Sequence, residues 1–347
     1  MAALALALSA SGCTAPEATS GSALPWDPGS FPDVIPPDPA AVELGRTLFY
    51  DPVLGEDGLT ACATCHSEHW GMGDGLPVSV GLHGVGAVGP GRRGPNQTRR
   101  NAQTLYNVVF RERLFWDGRA LDLEHQVSFP LEDPGELGSS EAAVLARLRA
   151  LPEYTDWFAR VFPGEILSFP LVTRALRAFQ EALISDWAPY DRYAAGDLGA
   201  LDERAQEGMR LFAAEGCADC HTPPRFEREH YASRGQPSPP GVSDEGRAEV
   251  TGRGADIGGF RVPTLRNLRD SEPYFHAGSA ATLEDAVRDE LSLDRQRRGE
   301  PPPTEEDVAL ISHFLKKGLT DRTRDQPRPA HVPSGLPVPL DGFRVPR

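Results

Sequence analysis

The chain has 347 residues, a net charge of -15, and 35 glycines with 33 prolines. The acidity leaves no basic field to displace counterions from a polyanion, which argues against nucleic acid and for a partner with a positive patch. The length suits two domains, and so much Gly and Pro points to helices joined by long loops, with little β structure.

Residues 1–13 form a short apolar run closed by small residues and a cysteine. Ala10-Ser11-Gly12-Cys13 is similar to a bacterial lipoprotein cleavage box, with Cys13 as the lipidated residue. No Lys or Arg precedes the run, as one does in an ordinary signal peptide. Ordinary cleavage near Cys13, a misplaced start and a disordered start stay as alternatives. The run is too short to span a bilayer, and no other segment offers eighteen apolar residues. A periplasm-facing protein, tethered through Cys13 if that residue is lipidated, fits these observations. Residues 14–38 read as a flexible tether.

Asp38-Pro39-Ala40 opens a helix running to about Tyr50, with Asp as cap and Pro in the first turn. Then comes Cys62-Ala63-Thr64-Cys65-His66, and some way on Cys217-Ala218-Asp219-Cys220-His221. Each is a C-x-x-C-H, the attachment signature of a c-type haem: two thiols for the porphyrin vinyls and a histidine for the iron. A redox dithiol would leave the histidine idle, and a zinc site of four thiolates would leave both histidines unexplained. Covalent haem attachment usually takes place outside the bacterial cytoplasm, which supports export.

Residues 67–103 form a Gly-rich stretch with little periodicity, long enough to need a task such as wrapping a haem edge. Residues 139–151 and 170–186 read as helices, the first amphipathic. Leu201-Asp202-Glu203 opens the helix before the second motif, with Ala205, Gly208, Leu211 and Phe212 at helical spacing. Residues 222–260 read as polar loop. Helices start again at Thr282 and Thr304, the last ending near Lys317-Gly318. The expected organisation is a haem domain over 39–190, a second over 191–325, and a Pro-rich tail over 326–347, lying along the surface or disordered.

The phrases that carry chemistry run in one order through most of the chain. After the first motif come Gly73-Asp74-Gly75-Leu-Pro-Val-Ser-Val-Gly81, Arg100-Asn101, Phe115-Trp116-Asp117-Gly118-Arg119, Leu123-Glu124-His125-Gln126 and Glu136-Leu-Gly138. The second half gives Gly259-Phe-Arg-Val-Pro-Thr-Leu-Arg-Asn267 and Pro273-Tyr-Phe-His276-Ala-Gly278. Together they resemble the bacterial dihaem cytochrome c peroxidase / MauG family. The resemblance implies a mainly α fold of two cytochrome-c-like haem domains, two covalent haems and a calcium ion. It implies hydrogen peroxide as substrate, with electrons from a small cytochrome c or a cupredoxin, in a monomer or homodimer. A MauG-like enzyme would instead oxidise side chains of a partner protein. A dihaem cytochrome that only transfers electrons is the non-catalytic alternative.

Residue by residue, the resemblance makes Glu124 the acid/base group on the distal side of the first haem, moving a proton between the two peroxide oxygens. His66 and His221 are the proximal ligands. His83 stands near the position of a removable histidine ligand, with His69 or a plain surface histidine as alternatives. Leu114 replaces a glutamine common in relatives and cannot donate a hydrogen bond. Glu290 occupies the slot of the second haem's distal Met or Tyr; the alternative is a surface glutamate. Tyr106 and Trp116 are candidates for the path between haems. Asn101, with the backbone oxygens of Ser271 and Pro273, maps onto the calcium site. Arg266 is expected to pair with a propionate, and His276 to hydrogen-bond in a haem pocket.

Overall fold

Helix α1 (Pro39–Tyr50) starts where the Asp38 carboxylate accepts from the Ala40 N–H at 3.0 Å, with Pro39 in the first turn. It buries Leu44, Leu48 and Phe49. Gly45 lets it cross α5 (Phe169–Glu181) closely: a Cβ there would lie 1.8 Å from the Ala175 carbonyl oxygen. The same device recurs in the second half. Gly208 of α7 (Glu203–Ala214) meets α11 (Glu305–His313), and its Cβ would lie 2.0 Å from the Leu310 carbonyl oxygen. Two hydrophobic clusters form around these crossings, one from Ala41 to Leu183 and one from Tyr190 to Leu319. The computed structural model describes residues 24–238, 241–323 and 326–342, so the box at Cys13 lies outside the described residues.

Between the crossings lie α2 (Leu123–Glu132), α3 (Glu141–Arg149), α4 (Pro152–Val161) and α6 (Pro189–Ala194). The second motif makes a single turn, α8 (Cys217–Cys220); α9 (Ala248–Thr251) is equally short, and α10 (Leu283–Arg298) follows. Caps sit where the sequence puts them: Ser140, Asp202, Thr282 and Thr304 each accept from a first-turn N–H. The only ladder among the described residues pairs β1 (Tyr231–Ser233) antiparallel with β2 (Gly259–Arg261), Tyr231 facing Arg261. The fold is mainly helical, as expected.

The two halves repeat each other. Asn107 and Asn267 both take a left-handed φ of 60°, and Phe115 and Phe275 one of 69°. Leu114 bridges Ala120 as Tyr274 bridges Ala280. Asp122 caps α2 as Thr282 caps α10. These pairs stand at one constant spacing, which also matches Trp116 to His276, Asn101 to Arg261 and Pro130 to Glu290. The repeats meet face to face. The Asn101 N–H donates to the His276 carbonyl at 2.8 Å, and the Arg261 N–H donates to the Trp116 carbonyl at 2.8 Å.

One segment differs from the expectation. The described end of the tether is docked: Trp26 Nε1 donates to the Tyr190 hydroxyl at 2.8 Å, and its ring meets Phe212 and Phe226 edge-on at 5.9 and 6.0 Å. An indole buries more apolar area than its Pro- and Gly-rich neighbours suggest. At the other end, residues 326–342 cross back over the first half. Ser334 donates to Asp51, Ser67 to Asp341 at 2.6 Å, and the Gly342 N–H to the Val88 carbonyl at 2.7 Å.

Trp26→Ala removes the anchor of the N-terminal segment. It should lower stability by about 2–3 kcal/mol, read as a fall in thermal midpoint with haem content unchanged. An unchanged midpoint would mean that the segment is not held through the indole.

Candidate haem sites

The first motif lines a cavity of about 500 Å³ in the N-terminal half. Cys62, Cys65 and His66 form one wall; Leu114, Leu123, Val127 and Leu176 form apolar walls; Arg100, Arg111, Arg119 and Glu136 add charged groups. His66 is half-buried, and its Nδ1–H donates to the Met72 carbonyl at 2.9 Å. Burial pushes its pKa down, so the ring is neutral and its Nε2 lone pair is free. His221 repeats the arrangement. Its Nδ1–H is shared by the Pro263 and Phe226 carbonyls at 3.0 and 3.2 Å, and burial lowers its pKa to about 4. A neutral imidazole fixed through Nδ1 is the form that ligates a metal through Nε2.

Burial raises the Cys62 and Cys217 thiols to about 12, and both pairs are free of disulfides. The set of two thiols, one fixed imidazole, an apolar cavity and guanidinium groups near it fits a covalently held haem. At the second site the same thiol–imidazole set is present, with Cys220 exposed.

The other expected residues distribute unevenly. Trp116 borders the first cavity, donates from Nε1 to the Asn101 carbonyl at 2.9 Å, and lies edge-on to His276 at 6.5 Å across the repeat seam. His276 is buried, stacks on Phe260 at 3.7 Å, and has its pKa lowered to about 4 by burial. Tyr106 is buried in the first cluster and borders a second recess with His69, Asp270 and Asp321. Leu114 is buried on the first cavity wall.

Glu124 stands in the first turn of α2, beside the cavity residue Leu123 but not on the cavity wall. Its carboxylate accepts from Arg177 Nη1 at 3.0 Å near the surface. His83 is on the surface, its backbone N–H donating to Asp57 at 2.8 Å, and it does not reach the cavity. Asn101 is on the cavity wall, its Nδ2 donating to the Leu76 carbonyl at 2.8 Å. Ser271 Oγ donates to the Leu268 carbonyl at 3.5 Å, and Pro273 opens the turn that leads to His276. Among the described residues no group of three or more His, Cys, Asp or Glu forms a metal cluster.

Arg266 corrects the sequence expectation. It is fully buried and its fork is taken by Asp191, at 2.9 and 2.6 Å, with the Pro224 carbonyl as a further acceptor. The guanidinium with free donors is Arg261, five residues earlier in the same phrase. Glu290 lies on α10 with its carboxylate 2.6 Å from Arg234, and Gln236 at 3.4 Å. Burial raises its pKa while Arg234 pulls it down, and its charge is felt by the Cys217 thiol. Its counterpart in the repeat, Pro130, lines the first cavity.

Sequence reading passed over Glu136, Asp74 and Arg111. Asp74 and Glu136 are both raised to about 7 by burial beside the first motif. Glu136 lay inside a quoted phrase, but nothing in that phrase distinguishes a buried carboxyl from a surface one.

The Glu136 shift gives a pH test. With a folded pKa raised above its ordinary 4.5 to about 7, the group's stabilising contribution is full below about 4.5 and is lost as pH rises through about 7. Glu136→Gln cannot ionise. It should gain about 1–2 kcal/mol over the parent at pH 8 relative to pH 5, measured by denaturant unfolding. Parallel curves for the two proteins would contradict the burial of this carboxyl.

The model of the di-haem cytochrome c peroxidase family matches residues 39–199. The chain is 34% identical over 310 residues to the cytochrome c551 peroxidase of Nitrosomonas europaea, covering 88% of this chain and 87% of that one. It is 36% identical over 279 residues to the methylamine utilization protein MauG of Methylorubrum extorquens, covering 77% and 72%. Among solved structures, a MauG-like protein associated with microbial copper homeostasis superposes with a TM-score of 0.71 at 30% identity, over 87% of this chain and 98% of that one.

Proposed function

The chain belongs to the bacterial dihaem cytochrome c peroxidase / MauG family of oxidoreductases, and from that footing we propose that it reduces hydrogen peroxide with electrons from a small periplasmic redox protein. The observation that carries this reading is the pair of half-buried neutral imidazoles, His66 and His221, each beside two thiols, with a cavity next to the first. Cys62, Cys65 and His66 would hold one haem c, and Cys217, Cys220 and His221 the other. The haem irons supply the peroxide-binding and electron-carrying centres when bound.

The chain's own residues then have distinct tasks. Leu114, Leu123 and Val127 keep water out of the cavity. Glu124 is the proton carrier. To serve there it would have to leave Arg177; it stands in the first turn of α2 between the cavity residues Leu123 and Val127. Trp116 and His276, edge to face across the seam, lie on the short route between the sites; Tyr106 is the second aromatic candidate. Asn101, with Ser271 and Pro273, remains the proposed calcium set, and hard oxygen donors suit that ion. The acidic surface suits a basic electron donor. An extracytoplasmic location follows the family's habit and the leader-like start.

One observation favours the second mode, peroxide-driven oxidation of a partner protein in the manner of MauG. His83 is on the surface, so no histidine of the Gly-rich loop closes the first cavity. In that mode the first site is open without prior reduction of the second.

Glu124→Gln should keep both haems and slow peroxide consumption by roughly 10²–10⁴-fold, measured by stopped-flow. An unchanged rate would remove Glu124 from the reaction. Glu290→Met should raise the potential of the second haem, because a neutral thioether replaces an anion near the iron. A potential unmoved by Glu290→Met and Glu290→Ala would place the carboxylate with Arg234 only.

A further inference from the structure

Two backbone hydrogen bonds join the halves at the Trp116–His276 pair. The Asn101 N–H donates to the His276 carbonyl and the Arg261 N–H to the Trp116 carbonyl, both at 2.8 Å. One residue before Asn101 stands Arg100, and one residue after Trp116 stands Asp117. Arg100 spends all three guanidinium nitrogens here. Nη1 donates to Asp117 Oδ2 at 2.6 Å, while Nε and Nη2 fork onto the two carboxylate oxygens of Asp244, each at 2.7 Å. The side chains of Arg100, Asp117 and Asp244 are only 10%, 5% and 0% exposed. The Arg100 guanidinium carbon also lies 5.4 Å from the centre of the Phe260 ring, which stacks on His276 at 3.7 Å.

Asp244, from the second half, is equally committed. It also accepts from Arg99 Nη2 at 2.7 Å and from the Gly246 N–H at 2.9 Å. Burial pushes its pKa up, but Arg100 and Arg99 outweigh that and hold the carboxyl well below the usual carboxylate range, so it stays charged. The same second-half segment grips the turn after Trp116. Arg247 Nη1 donates to the Asp117 and Gly118 carbonyls at 2.8 and 3.1 Å. Gly118 takes a left-handed φ of 71°, and a Cβ there would lie 1.8 Å from the Tyr231 hydroxyl oxygen. A bidentate guanidinium–carboxylate fork fixes direction as well as distance, and a buried pair is little screened by salt. The turn that carries Trp116 is therefore held by charged groups of both halves.

We propose that Arg100, fixed by Asp244, is the positioning residue that sets the contact between Trp116 and His276, and with it the rate of electron transfer between the two sites. The inference rests on the reading of this pair as the route between haems. It adds what holds the route in register: a guanidinium of one half clamped by a carboxylate of the other.

Asp244 is the residue to change, because Arg100 lines the first cavity and Asp244 does not. In the dihaem protein, Asp244→Asn should keep both haems by mass and spectrum. It should slow electron re-equilibration between them after flash photoreduction by about tenfold, corrected for any change in the two midpoint potentials, since a displacement of about 1 Å is enough for a loss of that size. Hydrogen exchange should quicken at the Asn101 and Arg261 amides, the two that join the halves at this pair, while exchange in α1 and α7 stays at the parent value. A transfer rate unmoved in both Asp244→Asn and Asp244→Ala overturns the proposal. So does slowing accompanied by equal quickening of exchange in α1 and α7, which would be general loosening. If Asp244→Ala does not fold, Asp244→Asn alone decides. Failure of the route itself looks different: Trp116→Leu then leaves the transfer rate at its parent value, and the positioning role falls with the route.

Discussion

Each half of the molecule is organised around an imidazole whose Nδ1–H is spent on a backbone carbonyl: Met72 for His66, Pro263 and Phe226 for His221. That hydrogen bond fixes the tautomer, aims the ring and leaves Nε2 as the free donor. It also explains much of the surrounding chain. The segment after each motif must return to bring its carbonyl to the ring, while the glycine-allowed crossings of α1 with α5 and of α7 with α11 hold each half's helices together. Burial then keeps both rings neutral.

The repeat of the two halves turns one solution into two different sites. Equivalent turns position Trp116 in one half and His276 in the other, and they face each other where the halves meet. Equivalent positions hold Asn101 and Arg261, each giving its N–H to the opposite half. The side chains have diverged: Asn101 is satisfied by Leu76, while Arg261 makes no hydrogen bond among the described residues and has Glu227 at 3.7 Å. Pro130 and Glu290 show the same divergence, an apolar wall in the first half and a carboxylate clamped by Arg234 in the second. One half thus keeps a cavity with apolar walls and charged groups at its margins. The other carries charge close to its motif.

The two attachment motifs, the helix caps and the mainly helical class were legible because they depend on local residue chemistry. Asp38, Asp202 and Thr304 cap where their side chains require it. The α2 helix was not read, since Pro130 lies within it and its apolar spacing is short. Trp26 was hidden in a Pro-rich segment whose composition suggests a tether, although a single indole is enough to dock it. Arg266 and Arg261 are both arginines of one phrase; only long-range packing decides that Asp191 clamps the first through two hydrogen bonds while the second meets Glu227 at 3.7 Å without one. The direction of the Glu124 side chain is equally non-local, because Arg177 lies on another helix.

The central claim is that the first site would hold a haem whose access no histidine of the Gly-rich loop blocks. The ferric electron paramagnetic resonance spectrum of the dihaem protein, taken before and after one equivalent of hydrogen peroxide, tests it most directly. With His83 away from the cavity, the account predicts one high-spin signal in the resting protein that disappears when peroxide is added. Two low-spin signals that peroxide leaves unchanged would contradict it.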